Sequence, residues 1–268
     1  NNYNIVTLGR SGENDYICDI LDVDSLVEIL DFLKPEIILN LAALTDVDEC
    51  ESNPDKSFQI NVQAINNMVD WIISSRSNTH LIQVSTDHVY DGLGPHSESN
   101  PTITNYYAFS KYTAELSAMR VPSTIIRTNF FGKSTCPGRE SFTDWIVSRI
   151  KSEEHFSLFN DVFFSPLSMQ TLSEMLCLVI EKKPSGIYNL GSKSGMSKSD
   201  FAVLFAKKLN LNFINADIVS IDKTSFMKTY RPRDMRMNVD KFEEYLDVEL
   251  PNLEDEVDKV LGDYYETT

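Results

Sequence analysis

The chain has 268 residues, 42% of them apolar, enough to bury a large core in one α/β domain or in a domain plus a lobe. Its 24 Lys and Arg stand against 40 Asp and Glu, a formal net charge of −16. No basic run interrupts that acidity, which argues against nucleic acid or an anionic membrane surface as partner. Cys18, Cys50, Cys136 and Cys177 are scattered, and neither they nor the four histidines have metal-ligand spacing; reduced thiols in a cytoplasmic protein without a metal site are expected.

The first predicted element is a short apolar strand at residues 5–8, closed by Gly9, Arg10, Ser11 and Gly12. A weaker strand at 16–18 leads into Asp19. A helix follows from about residue 24, with Leu26, Val27, Leu30 and Leu33 on one face and Pro35 just past its end. Residues 36–43 read as a buried strand running into Ala42 and Ala43, and residues 55–74 as a long helix with Phe58, Val62, Ile65, Val69 and Ile72 at helical spacing. A strand at 80–85 precedes a loop rich in Gly, Pro, Ser and Asn, then the helix carrying Tyr107 and a strand at 123–127.

Strands alternating with helices imply a parallel sheet with right-handed crossovers. Beyond Gly132 the alternation loosens into helices at 142–151 and 171–182, a strand at 187–190, a polar helix at 198–209 and an acidic tail. The expected fold class is α/β, a Rossmann-type doubly wound parallel sheet with a smaller C-terminal substrate lobe. Residues 1–131 and about 166–190 are expected to form the dinucleotide-binding part, and about 132–165 with 191–268 the lobe.

Such a fold normally opens with a strand, a glycine-rich turn and a helix whose N-terminus takes the pyrophosphate. No G-x-G-x-x-G stands here, and no amphipathic helix begins after Gly12. Residues 5–8 are therefore read as the second strand of the sheet, with the first strand and its glycine turn expected upstream of residue 1. At the end of that second strand an acidic residue suits the ribose of NAD and an arginine the 2′-phosphate of NADP. Arg10 points to NADP, with NAD as the alternative.

The chemistry is carried by Tyr107 and Lys111, four residues apart and so on one helical face, and by Ser85 and Thr86 at the end of a parallel strand, where open α/β sheets place their ligands. A phenol beside a fixed ammonium, with a neighbouring hydroxyl donor, is equipped to pass a proton to a carbonyl oxygen.

In this order the motifs resemble those of the extended short-chain dehydrogenase/reductases, and more narrowly the dTDP-4-dehydrorhamnose reductases and related nucleotide-sugar 4-ketoreductases. The resemblance rests on Asn40 to Ala43, on Thr45, Asp46, Asp48 and Glu51, on Asn61, on Ser85 to Gly92, on Tyr107 with Lys111, on Arg127 to Phe130, and on Arg231 with Pro232. It implies NADPH-dependent reduction of a nucleotide-activated 4-keto-6-deoxy sugar for surface polysaccharide, with Thr86, Tyr107 and Lys111 catalytic. It sets Arg10, Asp19, Ile20, Ala42, Ala43, Leu44 and Val84, together with Tyr107 and Lys111, along the cofactor. Thr86, Asp87, Phe130 and Arg231 fall on the side of the nucleotide-diphosphate sugar, and a homodimer is left open.

Arg231, Arg233 and Arg236 form the one basic cluster, expected to meet the diphosphate or to pair with the acidic tail. Where 4,6-dehydratases of this fold carry Thr-Asp-Glu, this chain has Thr86, Asp87 and His88, which disfavours dehydration. An epimerase of the same fold and a non-catalytic cofactor-binding regulatory subunit stay open as alternatives.

Overall fold

The computed structural model describes residues 3–136, 138–212, 215–224 and 227–265. Two short strands, Leu8–Gly9 (β1) and Tyr16–Ile17 (β2), pair in parallel with each other and, among the described residues, with no other strand. The expected strand at 5–8 is thus displaced towards the turn. Ile5 is 77% exposed and has no core to enter, and Thr7 is held by the Asp15 carboxylate through its amide (2.8 Å) and hydroxyl (2.9 Å).

Helix α1 (Val23–Leu33) starts at Asp22, whose carboxylate accepts from the Ser25 amide, and buries Leu26 and Leu30. After strand β3 (Ile37–Asn40) come α2 (Val47–Ser52), α3 (Pro54–Phe58), a π-helical turn (Gln59–Gln63) and α4 (Ala64–Ser74). The long helix expected at 55–74 therefore contains one wide turn. Strand β4 (His80–Thr86), helix α5 (Tyr106–Ala118) and strand β5 (Ser123–Thr128) follow.

The second half begins with β6 (Phe130–Phe131), α6 (Phe142–Lys151), β7 (Phe156–Phe159), β8 (Phe163–Phe164), β9 (Leu167–Ser168) and α7 (Met169–Lys182). It continues through β10 (Gly186–Leu190), β11 (Met196–Ser197), α8 (Lys198–Lys208) and β12 (Ala216–Val219). The acidic tail is itself folded, into α9 (Asp240–Leu246), α10 (Leu253–Val260) and α11 (Gly262–Tyr265).

The main sheet is parallel throughout, in the order β10-β5-β4-β3. Successive side chains of a strand point to opposite faces, and here both faces are covered. Leu81 and Ile125 pack with Leu26, Ile65, Val69 and Ile72 on one face. Ile82 and Ile126 pack with Leu172, Tyr188, Phe242 and Leu246 on the other, so α9 covers part of this face of the sheet. A separate aromatic core, with Phe131, Phe156, Phe164, Phe201 and Phe205, joins α6, β7, β8, α8 and α10.

One buried ion pair ties α5 to β5. Arg127 gives hydrogen bonds of 2.6–3.1 Å to both oxygens of Glu115, with the two side chains 1% and 0% exposed. Glu115 also accepts from the Ser85 hydroxyl, and Arg127 reaches the Tyr90 hydroxyl (2.8 Å) and the Glu98 carbonyl (2.8 Å). Ser85 is committed to this network, while the Thr86 hydroxyl at the strand end accepts from the His88 amide (3.1 Å).

Candidate active site

Helix α5 is set by its first turn. The Asn105 side chain accepts from the Ala108 amide (2.8 Å), and Glu51 accepts from the Tyr106 amide (2.9 Å), placing carboxylate charge where the helix dipole favours it. Glu51 belongs to the acidic motif whose other members also have structural partners. Asp46 caps α2 through Glu49, and Asp48 is held below the usual carboxylate range by Thr229 and Arg231.

Tyr107 and Lys111 lie on the buried side of α5, 7% and 4% exposed. Burial raises the Tyr107 phenol above its ordinary value, and Asp87 and Cys50 push the same way, while the Thr86 hydroxyl favours the phenolate. The Lys111 ammonium donates to the Val84 carbonyl (2.7 Å), and burial lowers it to about 8 against the opposing charge of Glu115.

Asn61 sits in the π turn and ties two parts of the site together. Its side chain accepts from the Leu44 amide (2.7 Å) and donates to the Leu44 carbonyl (3.0 Å) and the Ser110 hydroxyl (2.9 Å). Loop 42–44 is thereby fixed against α5. Ala42 is exposed, Ala43 and Leu44 are half-buried, and Ile20 is half-buried with its carbonyl taking the Asn67 amide (2.9 Å). Asp19 is exposed, its carboxylate accepting from Leu21. Arg10 is exposed and has no acidic partner among the described residues.

Asp87 is buried and accepts from the Asn129 side-chain amide (2.6 Å); burial raises its carboxyl to about 6, opposed by that bond and by the charge of Lys198. His88 meets the Tyr107 ring edge-on at 5.4 Å. Burial lowers its imidazole to about 3, so it is neutral, and its buried Nδ1 has no hydrogen-bond partner among the described residues.

Beside this group opens a cavity of about 580 Å³, walled by His88, Phe142, Trp145, Phe156, Phe159, Lys198 and Arg231 among others. That volume is in the range of small-molecule sites. Thr86, Tyr107 and Lys111 do not line it themselves; His88, packed on the Tyr107 ring, does. Phe130, expected in the sugar pocket, is 52% exposed on β6 and does not line the cavity either.

The three late arginines are not one cluster. Arg231 enters the cavity wall and pairs with Asp48 (2.9 Å), Arg233 pairs with Asp161 (2.9 Å) and Asp222, and Arg236 pairs with Asp234 (2.6 Å). Asp48 comes from α2, Asp161 from the turn between β7 and β8, and Asp222 and Asp234 from the segment between β12 and α9. Sequence reasoning missed His88, Lys198 and the aromatic wall. The position of His88 directly after Asp87 was the one signal available for any of them.

Among the described residues no group of three or more His, Cys, Asp or Glu could hold a metal ion, and no helix is long and apolar enough to cross a membrane. The model of the RmlD substrate binding domain family matches residues 1–266. Among similar proteins, the dTDP-4-dehydrorhamnose reductase of Escherichia coli is 26% identical, over 95% of this chain and 88% of its own length. A probable low-salt glycan biosynthesis reductase of Haloferax volcanii is 26% identical, over 89% and 81%. Of solved structures, a dTDP-4-dehydrorhamnose reductase from Bacillus anthracis in complex with NADP superposes with a TM-score of 0.82 at 23% identity, covering 91% of this chain and 86% of that one. A hypothetical dTDP-4-dehydrorhamnose reductase from Sulfolobus tokodaii gives 0.80 at 26% identity, covering 93% and 88%.

Proposed function

Since the chain belongs to the RmlD substrate binding domain family, we propose that it reduces the carbonyl of a nucleotide-activated 4-keto-6-deoxy sugar with NADPH, supplying a deoxysugar for surface polysaccharide. The observation that carries this reading is a buried phenol, Tyr107, one residue-contact away from a cavity of ligand size, since His88 packs edge-on against its ring and lines that cavity.

When bound, NADPH supplies a hydride to the carbonyl carbon. The residues present fit it. Arg10 offers an unpaired donor fork for the 2′-phosphate, with Asp19 and Ile20 beside it for the adenosine end. The small side chains of Ala42 and Ala43, with Leu44 and Val84, let backbone approach ribose and phosphates. Lys111 uses one of its three donors on Val84, leaving two for the nicotinamide ribose.

Tyr107 retains its proton at neutral pH because burial and Asp87 both disfavour the phenolate. It therefore donates that proton to the oxygen as alkoxide charge develops, and Thr86 both shares the oxygen and steadies the phenolate left behind. His88, neutral and packed on the Tyr107 ring, adds no charge to this step. Arg231 meets the diphosphate with the donors not occupied by Asp48 and the Thr229 carbonyl. We assign the cofactor to residues 1–131 and 166–190 and the sugar nucleotide chiefly to the lobe.

The test is NADPH oxidation, followed by absorbance, with a panel of 4-keto nucleotide sugars that includes dTDP-4-dehydrorhamnose. Tyr107→Phe should lower kcat by about a hundredfold or more while leaving the folded spectrum intact. Turnover undiminished in that variant would refute the mechanism.

A further inference from the structure

Lys198, the first residue of α8, is set in the cavity wall with unusual rigidity. Its amide donates to the Val162 carbonyl (2.8 Å), Ser197 caps the helix through the Asp200 amide (3.0 Å), and β11 pairs antiparallel with β8. Gly195 lies so close to β8 that a Cβ there would collide with the Phe164 carbonyl. The side chain then runs across two aromatic faces, its ammonium 3.4 Å from the Phe164 ring centre and 4.6 Å from that of Phe142.

This is an adverse place for a cation. The first turn of a helix carries positive partial charge, and desolvation lowers the ammonium to about 8 against the opposing charge of Asp87. The aromatic faces offset part of that penalty, yet among the described residues the ammonium has no hydrogen-bond acceptor and no ion-pair partner. The other basic side chains of the cavity are committed: Arg149 to Glu154, His155 to Asp217 and Arg231 to Asp48. A half-buried ammonium on a cavity wall, with donors unused by the protein, offers them to an acceptor on the ligand.

Its location says which part of the ligand. Lys198 shares the cavity wall with His88, which packs edge-on against Tyr107, and its charge acts on both Asp87 and His88, the two residues that directly follow Thr86. We infer that Lys198 is a specificity-determining residue for the sugar, its ammonium donating to an oxygen substituent of the ring. The assignment rests on the reductase reading above. An oxygen acceptor could also come from the diphosphate, and the two sources separate in a binding experiment.

NADP⁺-loaded wild type, Lys198→Met and Lys198→Arg are titrated calorimetrically with dTDP-4-dehydrorhamnose and, separately, with dTDP. Met keeps the volume and apolar stem, so the fold is expected to survive, as checked by thermal melting. Lys198→Met should bind the sugar nucleotide at least tenfold more weakly and dTDP within twofold of wild type, and Lys198→Arg should recover most of the loss. In turnover the deficit falls on KM rather than kcat. Equal weakening of both ligands puts the ammonium on the diphosphate and overturns the sugar assignment; unchanged binding of the sugar nucleotide overturns it as well. Because these are binding readouts, a protein that binds but never oxidises NADPH refutes the reduction and still decides Lys198.

Discussion

Glu115→Gln is expected to destabilise the fold severely, although it removes a single charge and almost no volume. The Glu115 carboxylate lies at 0% exposure against an Arg127 guanidinium at 1%, and three hydrogen bonds join them. Neutralising one partner leaves the other charge buried without compensation, which costs about 3–5 kcal/mol. At about 2–4 °C per kcal/mol for a chain of this size, the melting midpoint should fall by roughly 6–20 °C.

The informative comparison is the double variant Glu115→Leu with Arg127→Met, which buries no charge at all. It still loses the hydrogen bonds to Ser85, the Tyr90 hydroxyl and the Glu98 carbonyl, at about 1 kcal/mol each. It should therefore be far more stable than the sum of the two single variants implies, with a coupling energy of at least about 2 kcal/mol in a urea-unfolding cycle. Additive effects within about 0.5 kcal/mol would refute the reasoning. Since Ser85 precedes Thr86, the double variant also asks whether the network matters to turnover when stability is restored.

Asp87 predicts a pH dependence of the opposite sign to that of most carboxylates. Burial raises its carboxyl from 3.8 to about 6, so between those values the folded chain holds a proton that the unfolded chain has released. Stability then falls as pH rises through that window, and the unfolding free energy of wild type relative to Asp87→Asn should drop by about 2.4 kcal/mol between pH 4 and pH 7; a flat or rising difference contradicts it. Arg10→Ala should raise KM for NADPH about tenfold or more, as loss of a charge-assisted phosphate contact does, while leaving KM for NADH within about twofold. Equal changes for the two coenzymes would remove Arg10 from the 2′-phosphate.

The sheet strands at 80–86 and 123–128 were legible because strands buried on both faces read as near-continuous apolar runs. Thr86, Tyr107 and Lys111 were legible because strand ends and the four-residue helical repeat fix their places in any fold of this class. The π turn was not, since Gln59 to Gln63 carry ordinary helix-compatible side chains and the wider turn is imposed by what Asn61 reaches. Nor was Lys198, whose aromatic platform is assembled from α6 and β8 only by long-range pairing. Arg231, Arg233 and Arg236 are neighbours along the chain and strangers in space because the segment is extended, so each turns towards a different carboxylate.

The π turn has a geometric consequence for how this chain can vary. Each α-helical residue advances the helix by about 100°, so one residue more in a turn rotates everything beyond it by that angle. The segment from Pro54 to Ser74 is in effect two helices spliced out of phase, one phase presenting Ser57 and Asn61 and the other Ile65, Val69 and Ile72. Deleting any one residue of the splice would restore a continuous helix and swing one of those two stripes to the wrong side. Either loop 42–44 would lose its anchor or the sheet would lose its cover. Length is thus constrained at this point more tightly than residue identity.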